Sequence, residues 1–213
     1  MRTPAVAAEL FGEDLGRAEA YAELLATRGA EWGLIGPREV DRVWERHVLN
    51  SLAVSALVPN AASVVDVGSG AGLPGVPLAL ARPDLRVTLL EPLQRRATFL
   101  TGVVEELDLA ARVQVIRGRA AEASDRDPLV HRGSYDVVTS RAVAALPRLV
   151  QWCEPLLAPG GRIVALKGSS AEQEVEEARG ALRKRGLVAE VLTERAYPDA
   201  DHTWLVVCRR TAE

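Results

Sequence analysis

A β-branched run that ends in an acid and opens into glycines constrains this chain more than anything else in it: Val64-Val65-Asp66-Val67-Gly68-Ser69-Gly70-Ala71-Gly72-Leu73-Pro74-Gly75. An apolar helical pattern follows from Val76 to Leu80. Strand, tight turn and helix in that order form the first unit of a nucleotide-binding α/β sheet. The glycines admit positive φ and let a ligand reach the backbone with no Cβ in the way. The helix start beyond them offers unpaired N–H groups to an anionic ligand group. Pro74 suits the first helical turn, where its missing N–H costs nothing.

Two ligand classes compete for this loop. Gly70-Ala71-Gly72-Leu73-Pro74-Gly75 fits the dinucleotide pattern G-x-G-x-x-G, a weak signal alone. Asp66-x-Gly68-x-Gly70-x-Gly72 fits the first motif of S-adenosyl-L-methionine (AdoMet) methyltransferases at least as well. In both classes an acid ending the second strand binds a ribose hydroxyl. Glu91, which closes Val87-Thr88-Leu89-Leu90, serves either and separates neither.

The rest of the chain breaks the tie. Helical periodicity covers 5–32 and 37–57, the latter started by Pro37 and stopped near Pro59-Asn60. Strands are then expected at 63–67, 86–91, 113–117, 135–140 and 161–167, with helices at 75–82, 93–107, 119–123 and 142–157. Gly160-Gly161 after Pro159 reads as a sharp turn into the fifth strand. A charge-rich helix at 171–186 precedes two strands, 187–194 and 203–209. This alternation implies an α/β fold with a mostly parallel sheet covered on both faces. A terminal β-hairpin, placing an antiparallel strand at one edge, matches the Rossmann-like seven-stranded class I methyltransferase sheet better than a dinucleotide fold. A dehydrogenase also needs a substrate domain with a catalytic His or Tyr-Lys pair, for which little chain remains. The expected division is a helical extension at 1–60 packed on a methyltransferase domain at 61–213.

With 48% hydrophobic and 26% charged residues, the 213-residue chain suits a globular protein with a sizeable core. No apolar run approaches the ~20 residues of a membrane span, and the acidic start (Glu9, Glu13, Asp14) is unlike a signal peptide, so a cytoplasmic protein is expected. Cys153 and Cys208 are expected as buried thiols, and isolated His131 and His202 give no metal-ligand spacing. A net charge of −3 weakens a nucleic-acid reading but leaves room for a local basic face; the arginines gather from Arg95 onward.

Several separated segments resemble the bacterial small-subunit rRNA methyltransferase G family, also called glucose-inhibited division protein B. They are Glu45-Arg46-His47-Val48-Leu49-Asn50-Ser51, the loop from Asp66 to Leu78, Leu90-Glu91-Pro92-Leu93-Gln94-Arg95-Arg96, Ser140-Arg141-Ala142 and Ala165-Leu166-Lys167-Gly168. The family pattern usually has Asp at the position of Asn50, often Ser at Pro92 and Lys at Arg95. The resemblance implies AdoMet-dependent methylation of a guanine N7 in 16S rRNA, with naked rRNA, the 30S subunit or an assembly intermediate as partner and a monomer as the default state. The alternatives are a non-catalytic AdoMet- or RNA-binding regulator of the same fold and a small NAD-linked oxidoreductase.

Guanine N7 carries a lone pair and no proton, so no general base is needed, and no catalytic triad is visible. An exocyclic-amine methylase would show Asn/Asp-Pro-Pro-aromatic after the fourth strand, where this chain has Thr139-Ser140-Arg141-Ala142. Gly68, Gly70 and Leu73 are expected around the methionine and ribose, and Glu91 on the ribose hydroxyls. The resemblance places Ala120, Ala121 and Glu122 at the adenine. Arg141, at the carboxyl edge of the sheet, suits the methionine carboxylate or an RNA phosphate. His47 and Ser51, four apart on one helix face, are candidates for a place beside cofactor or guanine. Lys167 is a candidate phosphate contact, with Arg95 and Arg96 extending that surface.

Overall fold

The computed structural model describes residues 2–122, 132–141 and 143–211; side-chain placement at Glu122 lies outside that description. Seven strands form one sheet: β1 (Ser63–Val67), β2 (Arg86–Glu91), β3 (Val113–Arg117), β4 (Tyr135–Arg141), β5 (Leu157–Lys167), β6 (Leu187–Glu194) and β7 (Thr203–Arg210). Their order is β3-β2-β1-β4-β5-β7-β6. The first five are parallel, and β7 runs antiparallel to both neighbours.

The helices are α1 (Val6–Phe11), α2 (Leu15–Leu24), α3 (Gly75–Ala81), α4 (Gln94–Glu106), α5 (Leu146–Cys153) and α6 (Ala171–Lys184). Successive strand residues point to opposite faces, and the core divides accordingly. Val64, Leu89, Val137, Val164 and Leu205 join the cluster built with the N-terminal helices, α3 and α4. Val65, Leu90, Val138, Ile163 and Val206 join the cluster built with α5 and α6. Phe11, Tyr21, Trp44, Val48 and Leu49 of the first 60 residues belong to the first of these clusters.

Three expectations need correction. The antiparallel strand is not at the edge: β7 fills the gap between β5 and β6, and β6 is the edge. The burial patterns explain why, since β7 carries the continuous buried run Leu205-Val206-Val207-Cys208 while β6 alternates in and out of solvent. The fifth strand starts at Leu157, not 161, and Pro159-Gly160-Gly161 is an irregularity within it. There the pairing with β4 jumps from Tyr135↔Leu157 to Val137↔Arg162. A Cβ on Gly161 would stand 2.8 Å from the Tyr135 carbonyl, so the close approach of the two backbones requires glycine. Finally, Pro74 is the residue before α3, not within its first turn.

The N-terminal helical regions are less regular than their periodicity suggests. Gly12 at φ +50° separates α1 from the turn that starts α2. Residues 37–57 wind as a tight turn Pro37–Arg42, a wide π-type turn Val43–Leu49 and a tight turn Asn50–Leu57. Val58, forced extended by Pro59, ends them as expected.

Candidate functional site at the carboxyl edge

Strand order reverses between β1 and β4, and the crevice outside their carboxyl ends is where open α/β sheets take ligands. The glycine loop leaves β1 and Arg141 closes β4 at that point. Gly68 and Ser69 donate their N–H groups to the Leu90 carbonyl at 2.8 and 3.2 Å, strapping the loop to the end of β2. Gly68 lies at φ +70°, and a Cβ there would come within 2.7 Å of Val143. Gly70, at φ +60°, needs its conformation rather than its size, because a Cβ there meets nothing nearer than 3.8 Å.

Two buried carboxylates brace this turn. Asp66 accepts from Ser69 Oγ at 2.6 Å and from Gly75 N at 3.1 Å, both on Oδ2. Its Oδ1 is buried with no partner. Burial pushes its pKa up to about 6 against the opposing pull of those hydrogen bonds and of Arg141. Glu91 accepts from Gly70 N and Leu93 N, each at 2.9 Å, and forms no ion pair among the described residues. Each of its oxygens keeps a lone pair for a hydroxyl donor. Ala120, buried, and Ala121, exposed, form a single tight turn just past β3. Gly118 joins that turn to β2 by donating to the Glu91 carbonyl at 3.2 Å.

Arg141 is held by the N-terminal segment. Its Nη2 donates to His47 Nδ1 at 2.6 Å and its Nη1 to the Arg46 carbonyl at 3.3 Å. Burial and the adjacent guanidinium push the His47 pKa down to about 4, so the ring is neutral and accepts through Nδ1. The proton then sits on Nε2, 3.7 Å from Glu39 Oε2. That distance is too long for a hydrogen bond, and Nε2 is buried without a partner. Ser51 is fully buried and donates to the His47 carbonyl at 2.6 Å, which ties its hydroxyl to the wide turn. Lys167 donates to Glu174 Oε2 at 2.7 Å and to the Ala144 carbonyl at 2.9 Å. Its ammonium therefore braces the segment after β4 instead of standing free for a phosphate. Arg95 stacks on Trp32, 5.4 Å from the ring centroid, and locks α4 to the N-terminal helices. Ala142 and His131 lie outside the described residues.

A cleft of about 1050 Å³ opens beside the glycine turn. Val143, the neighbour of Gly68, lines it together with Arg141, while Glu39, Arg46, Lys167 and the β6–β7 link form its walls. Asn50 Nδ2 donates to Thr203 Oγ1 at 2.5 Å and joins the two sides. Sequence reasoning missed Glu39, Val143 and the burial of Asp66; the motif itself carried the signal only for the last.

The residue chemistry fits AdoMet. The open face at Gly70, the free Glu91 lone pairs, the orphaned Asp66 Oδ1 and the Arg141 guanidinium match a ribose, an ammonium and a carboxylate. Among the described residues no group of three His, Cys, Asp or Glu is arranged to hold a metal, and no helix is long and apolar enough to cross a membrane.

Comparisons with known proteins bear on the family and the fold. The family described as rRNA small subunit methyltransferase G matches residues 14–199. A relative from Mycolicibacterium smegmatis named "Ribosomal RNA small subunit methyltransferase G" is 55% identical over 186 residues, 87% of this chain and 77% of its own. One of the same name from Salinispora tropica is 60% identical over 168 residues, 79% of this chain and 69% of its own. Among solved structures, a precorrin-6y C5,15-methyltransferase from Geobacter metallireducens shares the fold with a TM-score of 0.54. It is 18% identical and covers 84% of this chain and 91% of its own.

Proposed function

Because this chain belongs to the rRNA small subunit methyltransferase G family, we propose that it methylates N7 of a guanine in 16S rRNA, in the small subunit or its precursor, with AdoMet as donor. The observation that carries this reading is a set of unmet hydrogen-bonding groups at the carboxyl ends of β1 and β4. Of four buried side-chain atoms without a partner among the described residues, Asp66 Oδ1 and Ser140 Oγ lie on β1 and β4, and His47 Nε2 belongs to the ring that grips Arg141. Most buried polar groups are paired, so those left open at this edge mark room for ligand groups or water.

When bound, AdoMet supplies an electrophilic methyl group on a sulfonium. Gly68, Gly70 and Leu73 would frame its methionine and ribose, Glu91 its ribose hydroxyls, and Ala120 to Glu122 its adenine. Arg141 would take the carboxylate, oriented by His47, with Ser51 and Lys167 bracing the turns behind them. N7 brings its own lone pair, so no side chain has to remove a proton. Burial pushes the Cys153 thiol up, and Cys153 faces the α5 core, so it is no nucleophile. The protein's task is alignment, an effect that reaches ~7–11 kcal/mol in well-oriented systems.

Labelled methyl transfer to 30S subunits and naked 16S rRNA tests this, with borohydride reduction and aniline cleavage to reveal N7-methylguanine. A strand break at one guanine is expected. Tight AdoMet binding with no transfer to either substrate would instead favour a binding-only regulator.

A further inference from the structure

The wall of the cleft formed by the β6–β7 link contains none of the residues assigned above to AdoMet. Of the residues lining the cleft, Tyr197, His202 and Trp204 carry aromatic rings; His202 is exposed and its Nε2 is bonded to Arg195 at 2.8 Å, and the packing of the other two separates them. Trp204 lies against the α5 and α6 core. Tyr197 lies against the opposite cluster, which includes Trp44, Val48 and Leu49 around His47. It is therefore on the side of the sheet where Arg141 is gripped. Tyr197 is half-buried, and its hydroxyl has no hydrogen-bond partner among the described residues. Its carbonyl accepts from Ala200 N at 3.0 Å, which turns the link over the cleft. Arg46, which also lines the cleft, is exposed and its side chain is unpaired among the described residues.

Residues 139–145 contain no aromatic side chain, so β4 supplies no ring beside the cofactor edge. A guanine drawn into so wide a space needs a face to rest on. The N7 lone pair lies in the plane of the base, so whatever fixes that plane fixes the line of attack. Resting on the guanine-N7 reading above, we infer that Tyr197 is the platform on which the target guanine stacks, with Arg46 holding a phosphate of the same strand. Tyr197 is thus a substrate-positioning residue, and Arg46 contributes affinity without sequence choice.

Methyl transfer to unmodified 30S subunits, measured over a range of subunit concentrations, tests the platform. Tyr197→Leu should lower kcat/KM roughly 5- to 100-fold, the effect of losing one aromatic stack on a base, while Tyr197→Phe stays within about threefold. AdoMet affinity by calorimetry should not change in either variant. Wild-type rates for Tyr197→Leu, or an equal loss in Tyr197→Phe, overturn the inference. Should Tyr197→Leu fail to fold, Tyr197→Gln, which lacks the ring but keeps a polar chain, carries the same two outcomes. Arg46→Gln should reduce the slope of log affinity against log salt by roughly one, and an unchanged slope removes its phosphate role. A wild type that transfers nothing defeats the function reading itself; an active wild type matched by Tyr197→Leu defeats only the platform.

Discussion

The two halves of the carboxyl edge are built by different means. The glycine turn is fastened by backbone groups to near neighbours: Gly68 and Ser69 to Leu90, Gly70 to Glu91, Gly75 to Asp66. The cleft beside it is assembled by side chains from distant segments. Arg141 and His47 are 94 residues apart and Asn50 and Thr203 are 153 apart. A cofactor that is the same in every turnover suits a local, backbone-made cradle. A macromolecular substrate suits walls contributed by loops that can vary without disturbing the turn.

The largest expected effect strikes where the halves meet. Arg141→Ala removes the cation proposed for the AdoMet carboxylate and leaves His47 Nδ1 without its donor. Losing one member of such a buried charged contact costs about 2–5 kcal/mol, to be read as a drop in AdoMet affinity by calorimetry. A loss confined to rRNA affinity would assign Arg141 to the cleft alone.

Next come Asp66 and His47, two buried groups whose pKa values shift in opposite directions. The Asp66 pKa is raised from 3.8 to about 6, so between those values the folded chain keeps a proton that the unfolded chain has released. Its contribution to stability falls as pH rises through that window, by roughly 3 kcal/mol in all. His47 is lowered from 6.5 to about 4, so its contribution is present above the unfolded value and is lost as pH falls. Urea unfolding between pH 4.5 and 7.5 should show Asp66→Asn gaining stability with pH more steeply than wild type, and His47→Gln less steeply. Parallel curves would place neither group in the folded protein's titration.

Glu91→Ala should weaken AdoMet binding by about 1.5–3 kcal/mol, the range for hydrogen bonds to a charged group, and lower stability as Gly70 and Leu93 lose their acceptor. The smallest effect belongs to the link between the cleft walls. Asn50→Asp keeps a partner for Thr203 and should be nearly silent, whereas Asn50→Leu should cost about 0.5–1.5 kcal/mol in urea unfolding.

The same contrast governs what the sequence reveals. All seven strands were legible as strands because β-branched alternation is a local signal, although Gly160-Gly161 set the start of the fifth four residues late, and the cradle was legible because Asp66 to Gly75 is one continuous stretch. Strand β7 was misplaced because a hairpin signal fixes which strands pair but not which lies outside. Lys167 ends β5 at the carboxyl edge of the sheet, yet its engagement with Glu174 depends on how α6 docks, which no local pattern records. Periodicity could place His47 and Ser51 on one face but could not show that Ser51 bonds the His47 carbonyl through a widened turn.

The division between cradle and cleft is tested most directly by a crystal structure with S-adenosylhomocysteine. The expected result has the ribose hydroxyls on Glu91, the carboxylate on Arg141 and the cleft between Arg46 and Tyr197 left open for the base. A ligand lying within that cleft, with the glycine turn closed by Val143, would contradict it.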